Sequence, residues 1–169
     1  MILQEYKKQK IVPFGEFLPF ESLLNKLGLK KITEGHGSFL RGKKQSNLIF
    51  ENLNILPLIC YEVIFTNFVQ QSDKSTNLII NISEDGWFGN SIGPYQHYAH
   101  SKFRSIEQGK TLIRSANNGI SVIINPSGKI KSLLDLEETG SIYTNEIKHK
   151  FTLFGKFGNK IYYGLIFIY

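Results

Sequence analysis

Cys60 is the one cysteine of the 169-residue chain and stands where the apolar run of residues 54–59 (NILPLI) gives way to Tyr61 and Glu62. A thiol at a strand-to-helix junction is held near backbone N–H groups, which lower its pKa and can bind an oxyanion. The same position also suits a small, apolar, buried side chain, and position alone leaves both readings open. Lys7, Lys8 and Lys10 precede residues 11–19 (IVPFGEFLP), in which Glu16 follows Gly15 in a proline-bounded loop. A lysine cluster is ordinarily a solvated face, and a loop carboxylate either carries function or caps backbone donors. His97 and His100 lie on one helical face with Arg104 a turn further on. That spacing could seat a metal, but neither a cysteine nor a carboxylate is spaced to complete the site, so the histidines read as structural or substrate-facing. Trp87 and Phe88 sit in a glycine-rich loop, where they either contact a lipid or ligand or pack the loop onto the core.

These side chains need a scaffold, and the hydrophobic pattern supplies one. Residues 47–51 and 54–60 read as neighbouring strands, the second apolar enough to be buried on both faces, although Pro57 weakens it. Residues 62–70 read as a helix and 77–82 as a further buried strand. Residues 84–94 hold three glycines and a proline and so form a loop. A helix is expected over 95–108, with Tyr95, Tyr98, Ala99, Phe103 and Ile106 on its apolar face. TLIRSA and GISVII then read as a strand pair, Asn125-Pro126-Ser127-Gly128 as a type I turn, and 141–147 as the final strand. Strand and helix alternate, which is an α/β pattern.

Composition agrees with one folded domain of ordinary size: 41% of residues are apolar and 20% are charged. A disordered chain, a collagen, a coiled coil and a disulfide mini-protein are all excluded. The net charge of +6 favours anionic surfaces without choosing between nucleic acid and phospholipid. Charged residues arrive too early at the amino terminus for a secretory signal, so the chain as an independent product is expected in the cytoplasm. Ile161 to Tyr169 is apolar and uncharged, but a membrane span needs about 20 such residues.

Several of these segments, in this order, resemble the carbon–nitrogen hydrolase, or nitrilase, superfamily: Tyr6-Lys7-Lys8, Val12-Pro13-Phe14-Gly15-Glu16, Cys60-Tyr61-Glu62 and Asp85-Gly86-Trp87-Phe88-Gly89. Ser91-Ile92-Gly93-Pro94 with Gln96-His97, Arg114-Ser115-Ala116-Asn117-Asn118-Gly119-Ile120 and the Asn125 to Gly128 turn narrow the resemblance to the apolipoprotein N-acyltransferase family. The resemblance implies a nitrilase-type four-layer α-β-β-α sandwich, incomplete at the amino terminus. It implies a partial catalytic domain over residues 1–150, with 151–169 as a linker and the start of a truncated transmembrane helix. It assigns Cys60 as nucleophile and Lys8 as the triad lysine, Glu16 and Glu62 as further active-site carboxylates, and the Tyr61 backbone N–H as an oxyanion donor. Trp87, Phe88 and His97 are expected to be substrate-binding.

The activity so implied is transfer of a fatty acyl group from phospholipid, through a Cys60 thioester, to the amino-terminal diacylglyceryl-cysteine of an apolipoprotein. No metal or organic cofactor and no nucleic acid is expected. The partners are a phospholipid donor, an apolipoprotein acceptor and a membrane. The full-length family works at the bacterial inner membrane with its catalytic domain on the periplasmic face. The family's general-base glutamate falls upstream of this sequence's first residue, so the chain as given is expected to be impaired, or to need a second polypeptide that carries the amino-terminal part. The competing readings are a soluble nitrilase-like amidase and a non-catalytic gene remnant or split subunit.

Overall fold

Residues 53–59 form a strand because β-branched and leucine side chains there pack best on a pleated surface, which is buried on one face and not on both: Leu56 and Leu58 are buried, while Ile55, Pro57 and Ile59 keep partial exposure. The structure is a computed structural model that describes residues 4–28, 39–43, 47–70 and 73–168. The chain divides into two units, residues 1–45 and 46–169.

In the first unit the backbone folds tightly between Val12 and Phe17. The Phe14 N–H donates to the Phe17 carbonyl at 2.7 Å, and the Glu16 N–H donates to Val12 at 2.8 Å. One short helix, α1 (Glu21–Lys26), follows.

The second unit is built on a six-stranded mixed sheet whose spatial order follows the sequence: β1 (Leu48–Phe50), β2 (Leu53–Ile59), β3 (Leu78–Glu84), β4 (Thr111–Asn117), β5 (Ser121–Ile124) and β6 (Ile130–Leu134). β2, β3 and β4 run parallel, and the flanking pairs are antiparallel. Parallel neighbours require crossovers. The first passes through a 3-10 turn (Cys60–Ile64) and α2 (Thr66–Gln70), the second through α3 (Gly93–Gln108). Right-handed crossovers that step twice in one direction place both connections on one face of the sheet, and α2 and α3 do touch. That face carries two rungs across the strands. Leu56, Ile79, Leu112 and Ile124 form an apolar rung, and Leu58, Asn81, Arg114 and Val122 form the next. All eight are buried. Each apolar member contributes about 1.5–3 kcal/mol of burial.

Pro57 is tolerated because it lies beyond the last β1 pairing, Leu48 with Ile55, where β2 has a ladder only toward β3. Three expectations are corrected. Residues 62–70 are not one helix, because the chain makes the 3-10 turn and breaks at Phe65 before α2. The final strand is Ile130–Leu134, folded back on β5 by the Asn125 to Gly128 turn. Residues 141–147 are irregular and hydrogen-bond through Thr144 and Glu146 to each other. α3 buries Pro94, His97, Ser101, Arg104, Ser105 and Gln108, while Tyr95, Phe103 and Ile106 are exposed. Its polar stripe faces inward because the sheet presents Asn81 and Arg114 to it, so polar groups meet polar groups.

α3 ends at Gly109, whose left-handed φ of 63° lets its N–H reach the carbonyls of Ser105 and Ile106. Thr152 then donates to the Glu107 carbonyl and caps α4 (Leu153–Phe157) through the Gly155 N–H. The last helix, α5 (Lys160–Ile168), is exposed along most of its apolar length, with Phe167 90% exposed. Among the described residues no helix is long and apolar enough to cross a membrane. Ending the chain at Asn159 is expected to raise solubility and leave the melting temperature within about 2 °C, since α5 buries little area. Loss of the cooperative transition in that variant, measured by circular dichroism, would place α5 in the core.

Candidate active site

β2 delivers Cys60 to the edge of the sheet's carboxyl end, and the backbone there is unusual. Cys60 has φ of 52°, a left-handed conformation that costs a residue with a Cβ roughly 1–2 kcal/mol. Strain of this kind persists only where neighbours hold it. Glu62, fully buried, turns its carboxylate back so that Oε2 accepts the Ile59 N–H at 2.8 Å. The Cys60 carbonyl oxygen lies 3.2 Å from His97 Nε2 and 3.4 Å from Asn81 Nδ2. The thiol itself is half-buried, with Sγ 3.9 Å from the Glu84 carbonyl oxygen.

Behind the cysteine lies a buried polar cluster. His97 Nδ1 is 2.9 Å from Asp85 Oδ1, and Arg114 Nη2 donates to Asp85 Oδ2 at 2.6 Å. Ser83 Oγ donates to Asp85 Oδ1 at 2.7 Å. Arg114 also donates from Nη1 to Asn81 Oδ1 and from Nε to the Ile120 carbonyl at 3.2 Å. Burial alone would raise the Asp85 carboxyl. The hydrogen bond from His97, the charge of Arg114, the Ser83 hydroxyl and the charge on His97 outweigh it and hold the group below its ordinary value. Gly119 packs so closely on this carboxylate that a Cβ there would stand 2.5 Å from Asp85 Oδ2.

Lys8 and Glu16 meet in the first unit. Lys8 Nζ pairs with Glu16 Oε1, and Glu16 Oε2 accepts the Val12 N–H at 2.9 Å. The Lys8 carbonyl accepts from Gly42 at 2.7 Å, so both side chain and backbone of the lysine are fixed. In the second unit Cys60, Tyr61, Glu62, Phe88 and His97 come together. The Tyr61 ring packs edge-on against Phe65 at 5.8 Å and tilts over His97 at 6.3 Å, and Phe88 packs edge-on against His97 at 5.6 Å. Trp87 stands apart from them, more than half exposed on its loop. Glu84 anchors that loop by accepting the Gly86 N–H at 2.8 Å and the Asn117 amide, and those bonds lower its pKa. His97, expected to face substrate, is 2% exposed and points at Asp85 and the Cys60 backbone. Asp85, Arg114 and Asn81 were given no individual role by the sequence pattern. For Asn81 and Arg114 the available signal was an amide or charged side chain at a core-facing position of an otherwise apolar strand, whereas Asp85, just past the end of β3, carried no such signal. No group of three or more metal-binding side chains occurs among the described residues.

The chain belongs to the carbon–nitrogen hydrolase family, whose model matches residues 1–150. It is 45% identical over 164 residues to an apolipoprotein N-acyltransferase of Rickettsia typhi, covering 93% of this chain and 32% of that protein. To the apolipoprotein N-acyltransferase of Rhodopseudomonas palustris it is 44% identical over 140 residues, covering 82% of this chain and 26% of that protein. The chain therefore spans about a quarter to a third of the length of the curated relatives it matches. Among solved structures, the NitN amidase of Nesterenkonia sp. AN1 superposes with a TM-score of 0.55 at 20% identity, over 80% of this chain and 48% of that one. A variant of the Nesterenkonia AN1 amidase, described as of the nitrilase superfamily, gives 0.56 at 19% identity over 81% and 48%. At such identities the likeness is one of fold. It establishes the α/β fold of the nitrilase type, to which the described residues contribute one sheet and its helical layer.

The lowered Asp85 pKa has a testable sign. A carboxylate held below its unfolded value stabilises the fold fully above that value, about 3.9, and the contribution is lost as pH falls through the lower folded value. Acid unfolding followed by tryptophan fluorescence should therefore steepen below about pH 4 in the parent. Asp85→Asn should be less stable at pH 7 by about 3–5 kcal/mol, because Arg114 loses its buried partner, and should show a shallower acid-dependent slope, with Glu84 still contributing. An unchanged slope would remove Asp85 from the acid response.

Proposed function

We propose that the chain carries the nucleophile of an acyltransferase that moves a fatty acyl group from phospholipid to the amino-terminal diacylglyceryl-cysteine of an apolipoprotein. The observation that carries this reading is Cys60 held at a left-handed backbone by its own buried partners, in a chain more than 40% identical over most of its length to apolipoprotein N-acyltransferases. The donor is a phospholipid, the acceptor a lipidated protein terminus, and the place of work a membrane surface. The net charge of +6 supports residence near anionic headgroups, at roughly 1 kcal/mol per well-placed basic residue.

In the first half-reaction the Cys60 sulfur, having given up its proton to a base, attacks the ester carbonyl. The S–C bond forms, the carbonyl oxygen takes the charge, and the C–O bond to glycerol then breaks. The leaving alkoxide takes the proton and departs as a lysophospholipid. Lys8 supplies positive charge to the oxyanion, and the Tyr61 N–H supplies a hydrogen bond. Glu16, which holds the Lys8 ammonium and the Val12 N–H, orients the lysine. In the second half-reaction the acceptor amine attacks the thioester, an amide forms, and the thiol is restored. Glu62 sets the turn from which the sulfur projects.

Intact-mass measurement after incubation with a diacyl phospholipid in detergent tests the reading. One acyl adduct on Cys60 is expected to form slowly in the chain as given, to be absent from Cys60→Ser, and to form about 100-fold more slowly again in Lys8→Ala, the loss typical of removing an oxyanion donor. Release of ammonia from small amides with no acyl adduct from lipid would favour an amidase instead.

A further inference from the structure

His97 and its partners hold nothing that the proposed acyl transfer uses directly, yet they converge on one atom. The carbonyl oxygen of Cys60 faces two donors, His97 Nε2 at 3.2 Å and Asn81 Nδ2 at 3.4 Å. Both donors are themselves fixed from behind. Asn81 Oδ1 accepts from Arg114 Nη1, and Ser101 Oγ lies 3.4 Å from the same oxygen. His97 Nδ1 meets Asp85 Oδ1, and Asp85 Oδ2 is held by Arg114 Nη2. The imidazole thus lies between an Asp85 carboxylate oxygen at Nδ1, where Arg114 Nη2 also stands 3.3 Å away, and the Cys60 carbonyl oxygen at Nε2, to which it donates. Asp85, Asn81, His97 and Arg114 are each at least 95% buried, so no competing water reaches them easily. A peptide carbonyl held by two such donors fixes the Cys60–Tyr61 peptide plane and so ψ at Cys60, one of the two torsions of the left-handed conformation whose φ is 52°.

From this geometry we infer that His97 is a positioning residue for the nucleophile: backed by Asp85 and Arg114, it clamps the Cys60 carbonyl and so keeps the residue in the left-handed conformation that aims the thiol. The catalytic part of the inference rests on the reading of Cys60 as nucleophile, while the backbone part does not.

The pair His97→Asn and His97→Gln separates the two contacts of the ring. Asparagine places its amide near the Nδ1 position and reaches Asp85 only, whereas glutamine extends to the Nε2 position and can still donate to Cys60. The probe is the backbone signal of Cys60 itself. The chain has one cysteine, so labelling cysteine with 13C yields a single Cα and carbonyl resonance pair that reports the backbone conformation of this residue. The expected result is a shift of both resonances away from the parent values in His97→Asn and their return in His97→Gln, at temperatures where circular dichroism shows both variants folded. Acylation by a p-nitrophenyl fatty ester, read as release of p-nitrophenolate, should fall about 10-fold or more in His97→Asn and recover in His97→Gln. Alkylation by iodoacetamide, which does not depend on alignment with an ester, should stay within about twofold. Unmoved resonances in folded His97→Asn would overturn the inference, as would equal losses of acylation and alkylation in both variants. Resonances that move as expected in a protein whose parent never acylates would uphold the clamp and refute the proposed acyl transfer.

Discussion

The ion pair between Asp85 and Arg114, 2.6 Å apart and with neither side chain exposed, organises the ground on which the cysteine stands. Taking either charge out of water alone would cost several kcal/mol, so each holds the other in place, and every remaining hydrogen-bonding atom must find a partner nearby. Arg114 spends its donors on Asn81, Ile120 and Asp85, and Asp85 spends its acceptors on Ser83, His97 and Arg114. The strand ends of β3 and β4, the inner face of α3 and the turn after β2 are tied by these bonds more than by apolar contact.

The pair also explains the division of labour along the sheet. One rung inward, Leu56, Ile79, Leu112 and Ile124 form a dry layer that stabilises the unit by burial. At the carboxyl end of the parallel strands the layer turns polar, which is where open α/β sheets place ligands and where Cys60 emerges. Because two residues along a strand separate the layers, the chemistry sits directly on the most rigid part of the fold.

Much of this was legible in the residues, and the failures have physical causes. The strands around 55, 80 and 113 were readable because unbroken apolar β-branched runs have few other uses. The position of Cys60 at the end of its strand followed from the change of pattern at Tyr61, and the linked motifs gave the family. The inward face of α3 was misread because amphipathic reasoning assumes an apolar core, and here the sheet offers Asn81 and Arg114. The short 3-10 turn at Cys60 was hidden because its cause, the Glu62 carboxylate reaching Ile59, is a side-chain bond with no periodic trace. The partnership of Asp85 with Arg114 spans 29 residues, a separation that no local pattern reports.

The positive φ at Cys60 has a consequence for how this position tolerates change. The strain belongs to any side chain with a Cβ and not to sulfur, so serine or alanine at residue 60 inherits it in full. Glycine would not, and would relax the turn by roughly the same 1–2 kcal/mol. Selection for a firmer fold and selection for a working thiol therefore pull residue 60 in opposite directions. A lineage released from the chemistry would be expected to drift there toward glycine, leaving the clamp around an empty hinge.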